Sequence, residues 1–327
     1  MGRYLCVGAP VTDLRLSGWR YRAVIASAVL AALAYMGFSL WVGFDAVLIA
    51  IRRVGLAGVA VMLGLSLLNY LLRFIRWQRY LKAMQYRVPW WSSLSIYLAG
   101  FALTTTPGKA GEALRGVLLK DWYMPYTHSL AAFISERLSD LVAIVLLTLF
   151  GIGLKPEMDL IIILGGVSVG LCLLLLAIPM PIRWLAKFAQ LGDSRWRQIA
   201  GHFSKLLSEA RACHAPRALL SATLLSLIAW ASEAAAFYLM LQWLGRELPI
   251  TFAVFVYAVA MLAGALSFLP GGLGGAEAVM VGLLLWKNVS LPDATAATLL
   301  IRLTTLWFAV VLGIMALSRS RHQQVTA

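Results

Sequence analysis

The chain alternates between long apolar runs and short polar segments. A helix needs about 20 apolar residues to cross a bilayer core of roughly 30 Å. Six runs come close to or exceed that length: 23–43, 55–72, 128–150, 160–180, 218–242 and 295–317. The pattern therefore predicts an all-α polytopic membrane protein with about six full transmembrane helices.

Two further apolar segments are interrupted by proline and glycine. Segment 92–120 contains PGKAGE at 107–112, and segment 251–287 contains PGGLGGAE at 270–277. Proline removes a backbone donor and clashes with the preceding turn, and each glycine lowers helix propensity by about 1 kcal/mol relative to alanine. A helix break is expected in both segments, as a kinked crossing or as a re-entrant pair of half-helices.

Composition supports the membrane class and changes the interpretation of the charge. Of the 327 residues, 61% are hydrophobic and 13% are charged, and the mean hydropathy is +0.83. The net charge of +14 does not indicate a nucleic-acid partner, because Lys and Arg lie mainly beside the apolar runs. With both termini in the cytoplasm, most of these residues lie on the cytoplasmic side, as the positive-inside rule requires.

The same rule favours re-entrant geometry for the broken segments. If 92–120 crossed the membrane, the basic stretch 181–217 would face outside. We therefore predict one re-entrant hairpin at 92–120 from the inside and a second at 251–287 from the outside. The whole chain then forms a single membrane domain, 1–327.

An internal repeat agrees with this topology. Glu112 precedes Arg137 by 25 positions, and Glu277 precedes Arg302 by the same 25. The halves 55–150 and 218–317 would then be inverted copies, an arrangement that recurs in secondary transporters. The alternative is that the glycines only allow close packing of helices.

Ionisable residues also occur in or beside the predicted hydrocarbon region. Each costs roughly 2.5–3.5 kcal/mol there if it has no partner. Ion pairs that hold the helices together are one explanation. Because five acids accompany three arginines in this set, a substrate cation or a coupled proton is the other hypothesis. The set is Glu112, Arg115, Glu136, Arg137, Asp140, Glu233, Glu277 and Arg302.

Anion binding is expected where the half-helices begin, near Gly108 and Gly272, because helix N-termini attract negative charge. Lys109 and Arg115 add positive charge there, which suggests a lipid phosphate. The predicted substrate-binding residues are Pro107, Gly108, Lys109, Gly111, Glu112, Arg115, Glu136, Arg137, Asp140, Glu233, Pro270, Gly271, Gly272, Gly274, Glu277 and Arg302. Three cysteines without C-x-x-C spacing and four scattered histidines predict no cofactor, metal or catalytic residue.

Within 181–217, aromatic and aliphatic residues recur at helical spacing among basic ones. This pattern is typical of an amphipathic helix on the anionic cytoplasmic leaflet, and equally of a surface helix that covers the bundle. The apolar positions are Trp196, Ile199, Phe203, Leu206 and Leu207.

Three motifs resemble a known family. TPGKAGEALRGVLL at 106–119, ERLSD at 136–140 and LPGGLGGAEA at 269–278 are similar to the lysylphosphatidylglycerol synthetase transmembrane region, or flippase-like, family. The resemblance implies movement of phospholipids or polyprenyl-phosphate glycolipids between leaflets. Bifunctional members add a soluble transferase domain, and the chain ends soon after its last span, so we expect a stand-alone transporter in the bacterial inner membrane.

Three function classes follow from these patterns. The leading one is a lipid flippase with no enzymatic step. The others are a membrane-embedded transferase acting on a lipid phosphate, and a solute or ion transporter. The sequence offers no nucleophile and base arrangement for the transferase, because His128 and Asp140 would lie about three helical turns apart.

Overall fold

The computed structural model describes residues 19–105, 115–151, 179–190, 216–267 and 269–325, together with isolated positions between 163 and 210. All regular structure within these ranges is helical. The helices are α1 (Trp19–Ala83), α2 (Trp90–Phe101), α3 (Arg115–Leu118), α4 (Tyr126–Thr148), α5 (Pro179–Ala189), α6 (Pro216–Trp243), α7 (Ile250–Leu266), α8 (Gly275–Trp286), α9 (Leu291–Arg302) and α10 (Phe308–Val325).

Three of the described helices are long and apolar enough to cross a membrane. They are Asp45–Ala83, Ala218–Trp243 and Leu291–Ser318, and they contain the predicted spans 55–72, 218–242 and 295–317. Helix α4 covers most of the predicted span 128–150 but carries a charged cluster at its middle. The predicted span 160–180 lies almost entirely outside the described residues.

The first two predicted spans belong to one helix. Sequence analysis separates 23–43 from 55–72 by a polar loop, whereas α1 runs for 65 residues through both. The chain departs from helical geometry at Gly55, whose φ is +71°, a value that only glycine adopts readily. One glycine is therefore enough to redirect the chain between the two apolar runs.

Helix α6 forms the centre of the fold. It packs against α1, α4 and α7. Its buried face alternates small and large side chains, with Ala229, Ala234 and Ala236 beside Phe237 and Met240, all fully buried. Small residues allow close approach of helices in a membrane, where water does not drive association.

The second broken segment is a hairpin of two short helices. Helices α7 and α8 have 17 and 12 residues, and 12 residues rise only about 18 Å. The rings of Phe252 at the start of α7 and Trp286 at the end of α8 are 6.0 Å apart. The hairpin therefore begins and ends on the same side of the molecule.

The tip of this hairpin depends on glycine. Gly271, Gly272 and Gly274 have φ values of +64°, +69° and +87°. A Cβ on Gly272 would lie 2.9 Å from Cα and O of Gly264, so the tip folds directly back onto α7. A Cβ on Gly271 would lie 3.5 Å from Cα of Thr105 in the first broken segment. The two segments thus approach each other at the tip.

The first broken segment leaves helical structure as predicted. Helix α2 ends at Phe101 and is followed by a turn through Thr105. When the described chain resumes, the Arg115 side chain packs against Gly100, where a Cβ would lie 3.0 Å from Cγ of Arg115. Helix α2 also packs tightly against α10, because a Cβ on Gly313 would lie 2.2 Å from N of Ala102.

Candidate functional site: a charged cavity between two broken helices

A cavity of about 350 Å³ lies where the two broken segments meet α1, α4, α6 and α9. Its wall is mainly apolar but contains three arginines, two acids and two tyrosines. These ionisable side chains are Arg73, Arg137, Arg302, Asp140, Glu233, Tyr70 and Tyr257.

Asp140 is the centre of the charge on one wall. Its Oδ1 accepts from Nη1 of Arg76 at 2.6 Å and from Nε1 of Trp230 at 3.1 Å. Its Oδ2 lies 3.4 Å from Nη2 of both Arg73 and Arg137. One carboxylate therefore holds three guanidinium groups, and the two at the cavity wall contact it less closely than Arg76 does.

Behind this wall is a second ion pair. Nη2 of Arg115 donates to Oε2 of Glu136 at 2.6 Å, and both side chains are buried. The Arg115 guanidinium also lies over the rings of Trp77 and Tyr97, at 4.6 and 5.0 Å. These two predicted substrate-binding residues do not line the cavity and hold α1, α2 and α4 together.

Arg302 joins α9 to the tip of the second hairpin. Its Nε donates to Oε1 of Glu277 at 2.7 Å, and its Nη2 donates to the carbonyl of Gly271 at 3.0 Å. Oε2 of Glu277 accepts from the backbone N–H of Gly274 at 2.6 Å. The chain itself thus supplies the negative charge at the N-terminus of α8, the position where sequence analysis expects a substrate anion.

Two tyrosines connect the remaining polar groups. The Tyr257 hydroxyl donates to Oε2 of Glu233 at 2.6 Å. The Tyr70 hydroxyl donates to the carbonyl of Thr305, which belongs to a π-helical turn, Leu303–Trp307, between α9 and α10. Neither tyrosine was predicted, because an isolated tyrosine in an apolar helix carries no distinctive pattern.

The structure brings six predicted substrate-binding residues to the cavity wall: Arg137, Asp140, Glu233, Gly271, Gly272 and Arg302. Glu277 and Gly274 reach the site through their contacts with Arg302 and with each other. Pro270 begins the turn at the hairpin tip. Pro107, Gly108, Lys109, Gly111 and Glu112 lie outside the described residues.

The predicted span 55–72 stops just before Arg73 and Arg76, whereas the structure continues the helix past both residues. Helix α1 continues to Ala83, which places both residues inside the fold with exposures of 7% and 0%. The signal that could have located them is the aromatic stripe Tyr70, Phe74, Trp77 and Tyr80, which recurs at helical spacing and is buried.

These two arginines remove the predicted excess of acids, because with them the predicted set has five arginines and five acids, of which Glu112 lies outside the described residues. Among the described residues of the site, five arginines accompany four carboxylates: Arg73, Arg76, Arg115, Arg137 and Arg302 with Glu136, Asp140, Glu233 and Glu277. The predicted excess of acids, which motivated a bound cation or proton, does not hold for this part of the chain. In the same part of the chain, no group of three or more His, Cys, Asp and Glu side chains could hold a metal ion.

These features define a polytopic helical membrane protein in which a charged cavity is enclosed by broken helices. The model of the lysylphosphatidylglycerol synthase transmembrane region matches residues 23–313. The chain belongs to that family, as its motifs predicted.

Relatives with similar sequences are described as UPF0104 membrane proteins. One from Pyrococcus horikoshii is 23% identical over 316 residues, which cover 88% of this chain and 94% of the relative. One from Methanocaldococcus jannaschii is 27% identical over 216 residues, 65% of this chain and 90% of the relative. One from Methanothermobacter thermautotrophicus is 33% identical over 90 residues, 28% of this chain and 27% of the relative.

Proposed function

We propose that this protein is a lipid flippase that moves a phospholipid or polyprenyl-phosphate glycolipid between the leaflets of the cytoplasmic membrane, without changing it chemically. The observation that carries the proposal is the sharing of Asp140 by three arginines, of which Arg73 and Arg137 line the cavity. Arg73 and Arg137 both line the cavity, so a lipid phosphate there would lie between two guanidinium groups. Arginine suits this role because its planar guanidinium binds phosphate through two hydrogen bonds.

The cavity wall places guanidinium groups among mainly apolar residues. A guanidinium in a low-dielectric region is costly unless it is paired or hydrated. Arg73 and Arg137 lie 3.4 Å from the shared carboxylate and also line the cavity, so their guanidinium groups are within reach of a head group that enters it. An anionic head group that enters the cavity thus gains charge-assisted hydrogen bonds, whereas a cation would meet repulsion on this wall.

The proposed topology has two re-entrant hairpins that enter from opposite sides in an inverted repeat, with both termini cytoplasmic. Contacts at the two ends of the molecule support it. Asp293 pairs with Arg53 at 3.5 Å and also with Arg246, and all three positions belong to the proposed external side. At the proposed cytoplasmic side, the Tyr86 hydroxyl lies 2.7 Å from Nδ1 of His128.

We also propose that α5 rests on the anionic leaflet at the cytoplasmic side. Arg183, Trp184, Lys187 and Phe188 are all exposed, and the rings of Trp184 and Phe188 stack with centroids 6.0 Å apart. Basic and aromatic side chains together suit the interface of an anionic membrane. The amphipathic positions predicted at Trp196, Ile199, Phe203 and Leu206 lie outside the described residues.

The test uses the purified full chain in liposomes that contain labelled phosphatidylglycerol and a membrane-impermeant reductant. We expect the wild-type protein to make the inner-leaflet label accessible, with the mass of the lipid unchanged. Arg137→Gln should slow exchange by about tenfold or more, as loss of a charge-assisted hydrogen bond implies. The matched control is Arg87→Gln, an exposed arginine outside the cavity wall.

Each alternative function has its own result in the same vesicles. A covalently changed lipid would support a transferase, and ion or solute flux without lipid exchange would support a solute transporter. Exchange that is equally fast in Arg137→Gln and in the wild-type protein would contradict the assignment of the phosphate site.

A further inference from the structure

The cavity has a second, apolar part that the charged residues do not explain. Leu262, Leu266 and Leu269 from the end of α7 and the turn after it line one side, and Leu141 and Ile144 from α4 line the other. Leu266 and Leu269 are 65% and 46% exposed although they belong to the cavity wall. The cavity is therefore open to the outside of the helix bundle at these leucines.

The geometry of α4 and α7 explains why the opening lies there. Near the end of α4 the two helices touch, because a Cβ on Gly151 would lie 2.0 Å from Cδ2 of Phe255. Ile144 is still buried against α7 in the main apolar core. Ile144 also borders the cavity, and Leu141 and Arg137 line it farther along α4. The two helices are thus in contact at one end and separated by the cavity at the other.

The surroundings of the opening determine what can occupy it. Helix α7 is an apolar helix with no charged residue, and its exposed end carries leucines rather than polar side chains. Water would contact these leucines unfavourably, whereas a hydrocarbon chain would not. Arg137, with 24% of its side chain exposed, lies one helical turn from Leu141 on the same face of α4. A charged group and an apolar exit are therefore adjacent.

We infer that the gap between α4 and the end of α7 is a lateral opening through which the hydrocarbon chains of a membrane lipid extend into the bilayer while its phosphate binds at Arg73 and Arg137. The inference rests on the proposed function and deepens it, because it assigns the lipid tails to a particular side of the molecule. The tails then remain in hydrocarbon throughout, while the head group occupies the cavity.

The test introduces a bulky side chain at the opening. Leu266→Trp and Leu269→Trp place a large ring at positions that are already exposed, so neither crowds the core. We expect each to slow leaflet exchange of labelled phosphatidylglycerol by about tenfold, as a steric block implies. The matched control is Leu224→Trp on α6, a leucine that is 49% exposed and does not line the cavity.

A second measurement separates a blocked opening from a misfolded protein. A single-chain lysophosphatidylglycerol needs less width than the two-chain lipid, so the tryptophan variants should slow it distinctly less. In addition, Leu266→Cys can be modified after reconstitution with thiol reagents of increasing size, with wild-type protein treated in parallel because it contains three cysteines. Exchange should fall as the reagent grows.

The outcomes distinguish this inference from the proposed function. If wild-type protein exchanges no phosphate lipid, the proposed function itself fails. If wild-type protein exchanges lipid and both tryptophan variants match Leu224→Trp, the function survives and the opening has been assigned to the wrong place. If the variants instead break a dimer in solution, a second copy of the chain covers this face, and the inference is overturned.

Discussion

Asp140 shows how one buried residue can serve both the fold and the site. Its contact with Arg76 joins α1 to α4 in a region without solvent, where Arg76 is 0% exposed. Its longer contacts with Arg73 and Arg137 lie at the cavity. Removal of the acid leaves three arginines facing each other, whereas removal of one cavity arginine leaves the acid with two partners. The two kinds of substitution should therefore have different effects.

The first prediction concerns Asp140→Asn. Arg76 loses its 2.6 Å partner inside the protein, and breaking a buried ion pair from one side costs about 3–5 kcal/mol. We expect a large fall in the thermal unfolding temperature in detergent. The control is Asp45→Asn, because Asp45 is an exposed acid on α1, the helix that Asp140 contacts. This substitution should leave the unfolding temperature nearly unchanged. Equal effects of the two substitutions would mean that Asp140 has no structural role.

At the scale of elements, the second hairpin is a compact turn held by glycine and by Arg302. The turn cannot be built from residues with a Cβ, because Gly272 combines a φ of +69° with a backbone contact to Gly264. Arg302 then fixes the turn from outside by binding the Gly271 carbonyl and Glu277. The tip is thus a rigid part of the cavity wall.

The second prediction compares two glycines of this hairpin. Gly272→Ala should destabilise the protein by about 1–3 kcal/mol, because it adds backbone strain and a steric overlap. Gly282→Ala in α8 has open space around it and should be neutral or stabilising by up to about 1 kcal/mol. Thermal unfolding of both variants in the same detergent checks the comparison, and similar curves for the two would argue against the close approach at the tip.

The π-helical turn Leu303–Trp307 is the other irregular element at the cavity. It follows Arg302 directly, and its Thr305 carbonyl accepts a hydrogen bond from Tyr70 on α1. Single π turns inside α-helices occur frequently at functional sites. Here the turn positions Arg302 and Thr305 on the same cavity wall.

The third prediction tests the support that this turn receives from α1. Tyr70→Phe removes the donor to a buried carbonyl, which should cost about 1–3 kcal/mol in the free energy of unfolding. Tyr123→Phe is the matched control, because Tyr123 is 93% exposed. A denaturant titration measures the free energy of unfolding of both variants. If Tyr70→Phe changes this free energy as little as the control does, the π turn does not depend on this hydrogen bond.

At the scale of the whole molecule, two groups of polar contacts away from the cavity link the helices. Asp293 connects α1, α9 and the turn between α6 and α7 at one end. The turn after α1 meets α4 at the other end, through Tyr86 and His128. In the proposed topology, these two groups of contacts lie on opposite sides of the membrane.

The fourth prediction tests this sidedness in cells. In a chain without its native cysteines, Tyr123→Cys should react with a membrane-impermeant thiol reagent only after the cytoplasmic side is opened. Lys287→Cys, at the base of the second hairpin, should react in intact cells. Both residues are exposed, so a difference in labelling between the two variants would not result from burial of either side chain. Labelling of both positions from the same side would rule out the inverted topology.

The sequence was informative about breaks and charges and less so about partners. Proline and glycine predicted that regular helix ends before Gly271, and membrane charges predicted that Arg137, Asp140, Glu233 and Arg302 would meet. These signals are local, because backbone conformation and the cost of a charge in hydrocarbon depend on the residue itself.

The sequence could not show which acid meets which arginine. The identical spacing of Glu112 to Arg137 and of Glu277 to Arg302 indicated a repeat but no pairing, and Asp140 draws two arginines from α1, more than 60 positions away. Those partners were missed because hydropathy ended the span at position 72, whereas packing against α4 and α6 continues the buried helix farther. Long-range burial of a basic residue leaves little trace in a hydropathy pattern.

The close packing of α2 against α10 has a consequence for biogenesis. These helices meet at Ala102 and Gly313, which are about 200 residues apart in the chain. At a synthesis rate of about 5–20 residues per second, α2 leaves the ribosome roughly 10–40 seconds before its partner exists. Throughout that interval the face of α2 that packs against α10 must be shielded by lipid or by the insertion machinery.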